Sequence, residues 1–121
     1  MIHGLRTTVY PVADLAKAKA WYADVFGQAP YFDQPFYVGF EIAGFELGLV
    51  PDGTPGVNGS KVYWGVDDID AEVARITALG AKPSGDIQDV GDGIRVAELF
   101  DPFGNVLGLI LNPHFDLKKV R

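Results

Sequence analysis

The chain has 121 residues, 48% of them apolar, with 10 Lys and Arg against 16 Asp and Glu and a formal net charge of −6. That size and composition predict one globular domain, and the acidic balance repels phosphate backbones, which speaks against nucleic acid as a partner. With no cysteine, disulfides, thiolate metal sites and thiol nucleophiles are excluded, and a reducing, cytoplasmic location is expected. MIHGLRTTVYPV has no apolar run before a cleavage site, and no stretch approaches the ~20 apolar residues of a membrane span, so neither a signal peptide nor a membrane role is expected.

In chain order, TTVYPV reads as a strand, and Asp14 then stands where a helix N-cap belongs. Leu15, Ala18, Trp21, Tyr22, Val25 and Phe26 follow at helical spacing, and Gly27 ends the segment as a left-handed C′ residue. Strands are predicted around Tyr31–Asp33, Phe36–Ala43 and Phe45–Val50. PDGTPGVNGS, residues 51–60, is a Pro- and Gly-rich linker. It lacks the lysine–serine ending before a helix that a phosphate loop needs.

The second half repeats the pattern. KVYWGV is a strand, and Asp68 is the N-cap of a helix with the stripe Ile69, Val73, Ile76 and Leu79, ended by Gly80. Strands are predicted around Ser84–Val90, Ile94–Phe100 and Val106–Leu111. Strand, helix, strand, strand, strand, given twice at half the chain length, is an architectural repeat. The modules are about residues 5–51 and 61–113, with a linker over 52–60 and a charged tail over 114–121, whose LKK reads as solvated. Asp14, Asp68 and Asp101 are assigned to caps and a turn, and Gly104 and Asn105 to the same turn.

Strand alternation divides the faces. Tyr10 and Val12, Phe45, Leu47 and Leu49, Val62, Trp64 and Val66, and Leu107, Leu109 and Leu111 form one apolar set that packs under the helices. Thr7 and Val9, Glu46, Gly48 and Val50, Lys61, Tyr63 and Gly65, and Val106, Gly108 and Ile110 form a mixed face that fits a cavity wall. In IRVAELF, Arg95 and Glu98 lie on opposite parities, and Glu98 is assigned to the mixed face. Phe32, Phe36, Tyr37 and Phe40 line that face or fill the core. Trp21, Tyr22 and Trp64 are assigned to packing.

VADLAKAKAWYADVFG, VDDIDAEVARITALGA and DPFGNVLGL, in this order, resemble the vicinal oxygen chelate superfamily, which includes glyoxalase I, bleomycin- and fosfomycin-resistance proteins and extradiol dioxygenases. The resemblance spans about Leu5 to Pro113. It implies an α+β fold of two βαβββ modules whose curled mixed sheets surround a shared cleft. Metal-dependent members carry one ligand on each of four strands, and the corresponding positions here are Thr7, Glu46, Lys61 and Gly108. Only Glu46 is a usual ligand. His3 and His114 lie off these positions, and two peripheral histidines supply no Ser-His-Asp set.

The resemblance therefore implies a member without metal or other cofactor, whose cleft residues are Thr7, Val9, Glu46, Lys61, Tyr63, Glu98 and Gly108. If the family geometry holds, Glu46 and Lys61 both point into the cleft, as a structural ion pair or as contacts to a ligand. Glyoxalase I and dioxygenase chemistry, which use a metal, are not expected. Three readings stay open: a module that binds a small organic molecule, a metal-free lyase or isomerase related to lactoylglutathione lyase using Glu46, Lys61 or Tyr63, and a scaffold whose cleft is filled by its own aromatics. Strand edges and the family habit favour a homodimer, with modules paired within or between chains.

Overall fold

Two aspartates start the two helices. In the computed structural model, which describes residues 5–56 and 61–114, the Asp14 carboxylate accepts from the backbone N–H of Lys17 at 3.0 Å and begins α1 (Leu15–Phe26). Asp68 does the same for α2 (Ile69–Ala78) through Ala71 N–H, also at 3.0 Å. Each cap satisfies a donor that the helix cannot satisfy itself. Gly27, at φ 67°, closes α1 through a bond from its N–H to Ala23 O.

The described residues fall into two units. The first comprises residues 5–56 with the turn 102–105. Its strands are β1 (Thr7–Pro11), β2 (Phe32–Gln34), β3 (Tyr37–Ile42) and β4 (Phe45–Val50), in the order β1-β4-β3-β2. β1 runs parallel to β4, and the other neighbours are antiparallel. Tyr10, Val12, Val38, Phe40, Leu47 and Leu49 are buried with Ala18, Tyr22 and Val25 of α1. Full burial of each such leucine is worth about 1.5–3 kcal/mol. Phe40 meets Phe26 with ring centroids 5.8 Å apart.

The second unit comprises residues 61–101 and 106–114. Its strands are β5 (Tyr63–Gly65), β6 (Lys82–Pro83), β7 (Gln88–Asp89), β8 (Arg95–Phe100) and β9 (Val106–Leu111). The order is β5-β9-β8-β6, with β7 also on β8, and β5 runs parallel to β9. Ala97, Leu99, Leu107 and Leu109 are buried with Ile69 and Ile76 of α2. Arg95 lies on the helix side of β8 and forks onto Asp70 at 2.8 and 3.2 Å. No helix among the described residues is long and apolar enough to cross a membrane.

The fold is α+β, two helices with two mixed sheets, as expected. Three details differ. Of the strand expected over Ser84–Val90 only Gln88–Asp89, β7, is strand; β6 lies before it at Lys82–Pro83, and Gly85 turns the chain between them at φ 124°. Trp64, Phe45 and Leu111, assigned to the core, are half-buried at short or terminal strand positions. Asn105, assigned only to a turn, is 4% exposed and donates its amide to Pro11 O at 2.8 Å, while Phe103 of the same turn packs on Trp21 and Tyr22.

β3 and β4 are joined by Ala43 and Gly44, at φ 51° and 93°. Both angles are left-handed, as a two-residue hairpin turn demands, and alanine is poorly suited to the first. Ala43→Asn, which creates the preferred Asn-Gly pair, is expected to raise the unfolding free energy by about 0.5–1 kcal/mol, read as a higher denaturant midpoint at unchanged slope.

Candidate functional site

Each sheet has a polar face opposite its helix, and on each a tyrosine lies over a strand glycine with its hydroxyl on a glutamate. In the first unit, β-pairing puts Val9, Gly48 and Gly39 in one row and Thr7, Glu46 and Glu41 in the next. Two facing glycines leave a gap in the side-chain layer, and Tyr31 and Tyr37 fill it. A Cβ on Gly39 would lie 3.2 Å from both rings, and one on Gly48 would collide with Tyr37, 2.6 Å from Cζ. The Tyr31 hydroxyl donates to Glu46 Oε1 and the Tyr37 hydroxyl to Oε2.

In the second unit the row is Tyr63, Gly108 and Glu98. The Tyr63 hydroxyl reaches over Gly108 and donates to Glu98 Oε2 at 2.8 Å, and Lys61 Nζ donates to the same oxygen at 3.2 Å. A Cβ at position 108 would collide with the Val62 carbonyl oxygen and lie 2.7 Å from Tyr63 Cδ1. Glycine at 108 is therefore a packing requirement: the tyrosine ring and the β5 backbone occupy the space a side chain would use.

The electrostatics follow from these bonds. The hydrogen bond to Glu98 raises the Tyr63 pKa, and the same bond, joined by Lys61, lowers that of Glu98 against a smaller opposing effect of burial. Tyr31 is raised first by its bond to Glu46. Tyr37 is pushed up to about 12 by burial, with its bond to the Glu46 carboxylate adding to the shift. All three phenols are held protonated at neutral pH.

Of the residues expected at the site, Thr7, Val9 and Glu46 lie on the first sheet, and Lys61, Tyr63, Glu98 and Gly108 lie together on the second. Lys61 holds Glu98, and Glu46 is held by two phenols. A lysine two residues before a short strand reaches the carboxylate on its own sheet across the side-chain-free Gly108. Phe40, weighed for the mixed face, is in the core, whereas Phe32 and Phe36 are exposed. His114 lies beside Asp92, its Nε2 2.8 Å from the carbonyl oxygen. His3 lies outside the described residues.

Sequence reasoning missed Tyr31 as a site residue and left Tyr37 between core and face. The available signal was the pair Gly39 and Gly48, whose missing side chains imply something large lying across them.

The donor set does not fit a catalytic metal. Lys61 brings a positive charge, position 108 has no side chain and no room for one, and both Glu46 oxygens accept phenolic hydrogen bonds. A divalent cation in such a site wants three or four N or O donors, and among the described residues no three acidic or histidine side chains gather in that way.

The model of the Glyoxalase/Bleomycin resistance protein/Dioxygenase superfamily matches residues 4–109. The chain belongs to this superfamily. Among solved structures it is similar to a fosfomycin resistance protein from Listeria monocytogenes (TM-score 0.78, 21% identity, 98% of this chain and 96% of the other covered). It is also similar to a lactoylglutathione lyase from Agrobacterium tumefaciens (0.76, 20%, 94% and 98%) and a glyoxalase-related enzyme from Fulvimarina pelagi (0.75, 18%, 93% and 90%). At these identities the likeness is one of fold. The comparison with curated proteins gave no significant match.

Gly108→Ala is expected to destabilise the protein by about 1–3 kcal/mol, since the collision is with backbone as well as with a ring; chemical denaturation checks this. The pH dependence has a definite sign. Because the Tyr37 pKa is raised on folding, its contribution to stability is complete below its ordinary value of 10.0 and lost as pH rises through about 12. A spectrophotometric tyrosinate titration should therefore lose its late component in Tyr37→Phe.

Proposed function

We propose that this superfamily member is a metal-independent, glyoxalase- or bleomycin-resistance-like protein that binds a small organic molecule on the polar sheet faces of its modules. One observation carries the reading: the glutamates of both faces are engaged by tyrosine hydroxyls, so a surface of phenols, carboxylates and small residues stands where a metal centre would need free donors. Such a surface offers aromatic area and oriented hydrogen-bonding groups, the usual makings of an organic-ligand site.

Lyase or isomerase chemistry through Tyr63 is less well supported. A general acid or base works best with a pKa near the working pH, and the Tyr63–Glu98 bond drives the phenol up and the carboxylate down, both away from neutrality. The reading includes a cytoplasmic homodimer, in keeping with the cysteine-free composition.

Elemental analysis with melting scans tests it. The protein as purified should contain no stoichiometric metal, and Ni²⁺, Zn²⁺, Mn²⁺ and Fe²⁺ should leave its melting temperature unchanged. Compounds from a small-molecule library should raise it, as any ligand that favours the folded state must. A stoichiometric metal with a large upward shift, or a library with no stabilising compound, overturns the proposal.

A further inference from the structure

We propose that the polar face of the first sheet is a site for a small organic cation, seated among Tyr31, Phe32, Phe36 and Tyr37 and countered by Glu41 and Glu46. This deepens the small-molecule reading above and rests on it.

The first ground is aromatic. Tyr31, Phe32 and Phe36 are 62%, 39% and 65% exposed. They do not stand singly: Phe32 meets Phe36 and Tyr37 edge-on, with centroids 6.2 and 5.9 Å apart. Phe32 sits opposite Gly39, beside the Tyr31 and Tyr37 rings. A group of rings left in water forgoes burial that nearby core positions obtain, and ring faces attract cations through their quadrupoles.

The second ground is charge. Glu41 and Glu46 are direct cross-strand partners in the β3–β4 ladder, an arrangement that is destabilising for like charges. Glu41 accepts from Gly44 N–H and Glu46 from two phenols, which are neutral donors. The four strands TTVYP, FDQ, YVGFEI and FELGLV contain no lysine or arginine. The contrast with the other sheet is internal to the molecule, for there Glu98 has Lys61. An added cation would offset this like-charge pair, and the aromatic setting favours a weakly hydrated organic cation over a small metal ion.

The test is a titration of the intact protein with benzyltrimethylammonium, with N-benzylacetamide as a neutral control and phenylacetate as an anionic one, read by calorimetry and by backbone amide NMR shifts. The ammonium compound should shift the amides of residues 31–46 and bind about ten-fold more tightly than the amide. Glu46→Gln, which keeps the side-chain shape, should lose about ten-fold, and Phe36→Ala should also weaken binding. Equal binding of the cation and the neutral control, unchanged in Glu46→Gln, overturns the cation proposal and leaves the small-molecule reading standing. So does binding of library compounds with no shift in residues 31–46. Shifts in these amides that follow protein concentration instead of ligand would mark a self-association surface and also overturn the proposal. Failure of every library compound to bind removes the small-molecule reading itself.

Discussion

A tyrosine ring laid across a strand glycine, with its hydroxyl on a carboxylate, is the contact on which both polar faces depend. It needs a residue without a side chain at the crossing point, a carboxylate one phenol length away, and a strand register that places both on one face. Tyr63, Gly108 and Glu98 meet these conditions across three adjacent strands, β5, β9 and β8. Tyr37, Gly48 and Glu46 meet them on β3 and β4. The glycine is fixed by the ring above it, the ring by the hydrogen bond at its tip, and the carboxylate by the phenol.

This constraint also decides what the superfamily scaffold can hold in this chain. A metal centre needs several donors converging on one point, each with a lone pair free. Here both oxygens of Glu46 and one of Glu98 accept hydrogen bonds from the protein itself, and position 108 is closed by the Val62 carbonyl as well as by the Tyr63 ring. Restoring one ligand would not be enough, since a side chain at 108 displaces the tyrosine that orders Glu98.

Much of this was legible in the residues. Asp14 and Gly27 bracket α1 because cap chemistry is local, and alternation placed Leu47, Leu49, Leu107 and Leu109 on the buried side because a strand's period admits only two choices. Parity also placed Tyr63, Glu98 and Gly108 on one face. What parity cannot supply is reach. That Lys61 meets Glu98 depends on the strand order β5-β9-β8, which is a tertiary fact. Tyr31, expected to open a strand over Tyr31–Asp33, lies just before β2, so the pleat does not set where its ring goes. The shortened strand before Gln88 was more accessible, since Gly85 invites the positive φ that turns the chain there.

The two modules repeat one architecture but neutralise their glutamates differently, and the difference has a physical consequence. A carboxylate held by an ammonium and a phenol, as Glu98 is, has its charge compensated at short range. A carboxylate held by two phenols, as Glu46 is, has its oxygens oriented by neutral donors. Phenolic donors orient that carboxylate without supplying a positive charge. The first sheet thus presents an oriented negative potential framed by rings, and the second a locally neutral polar surface.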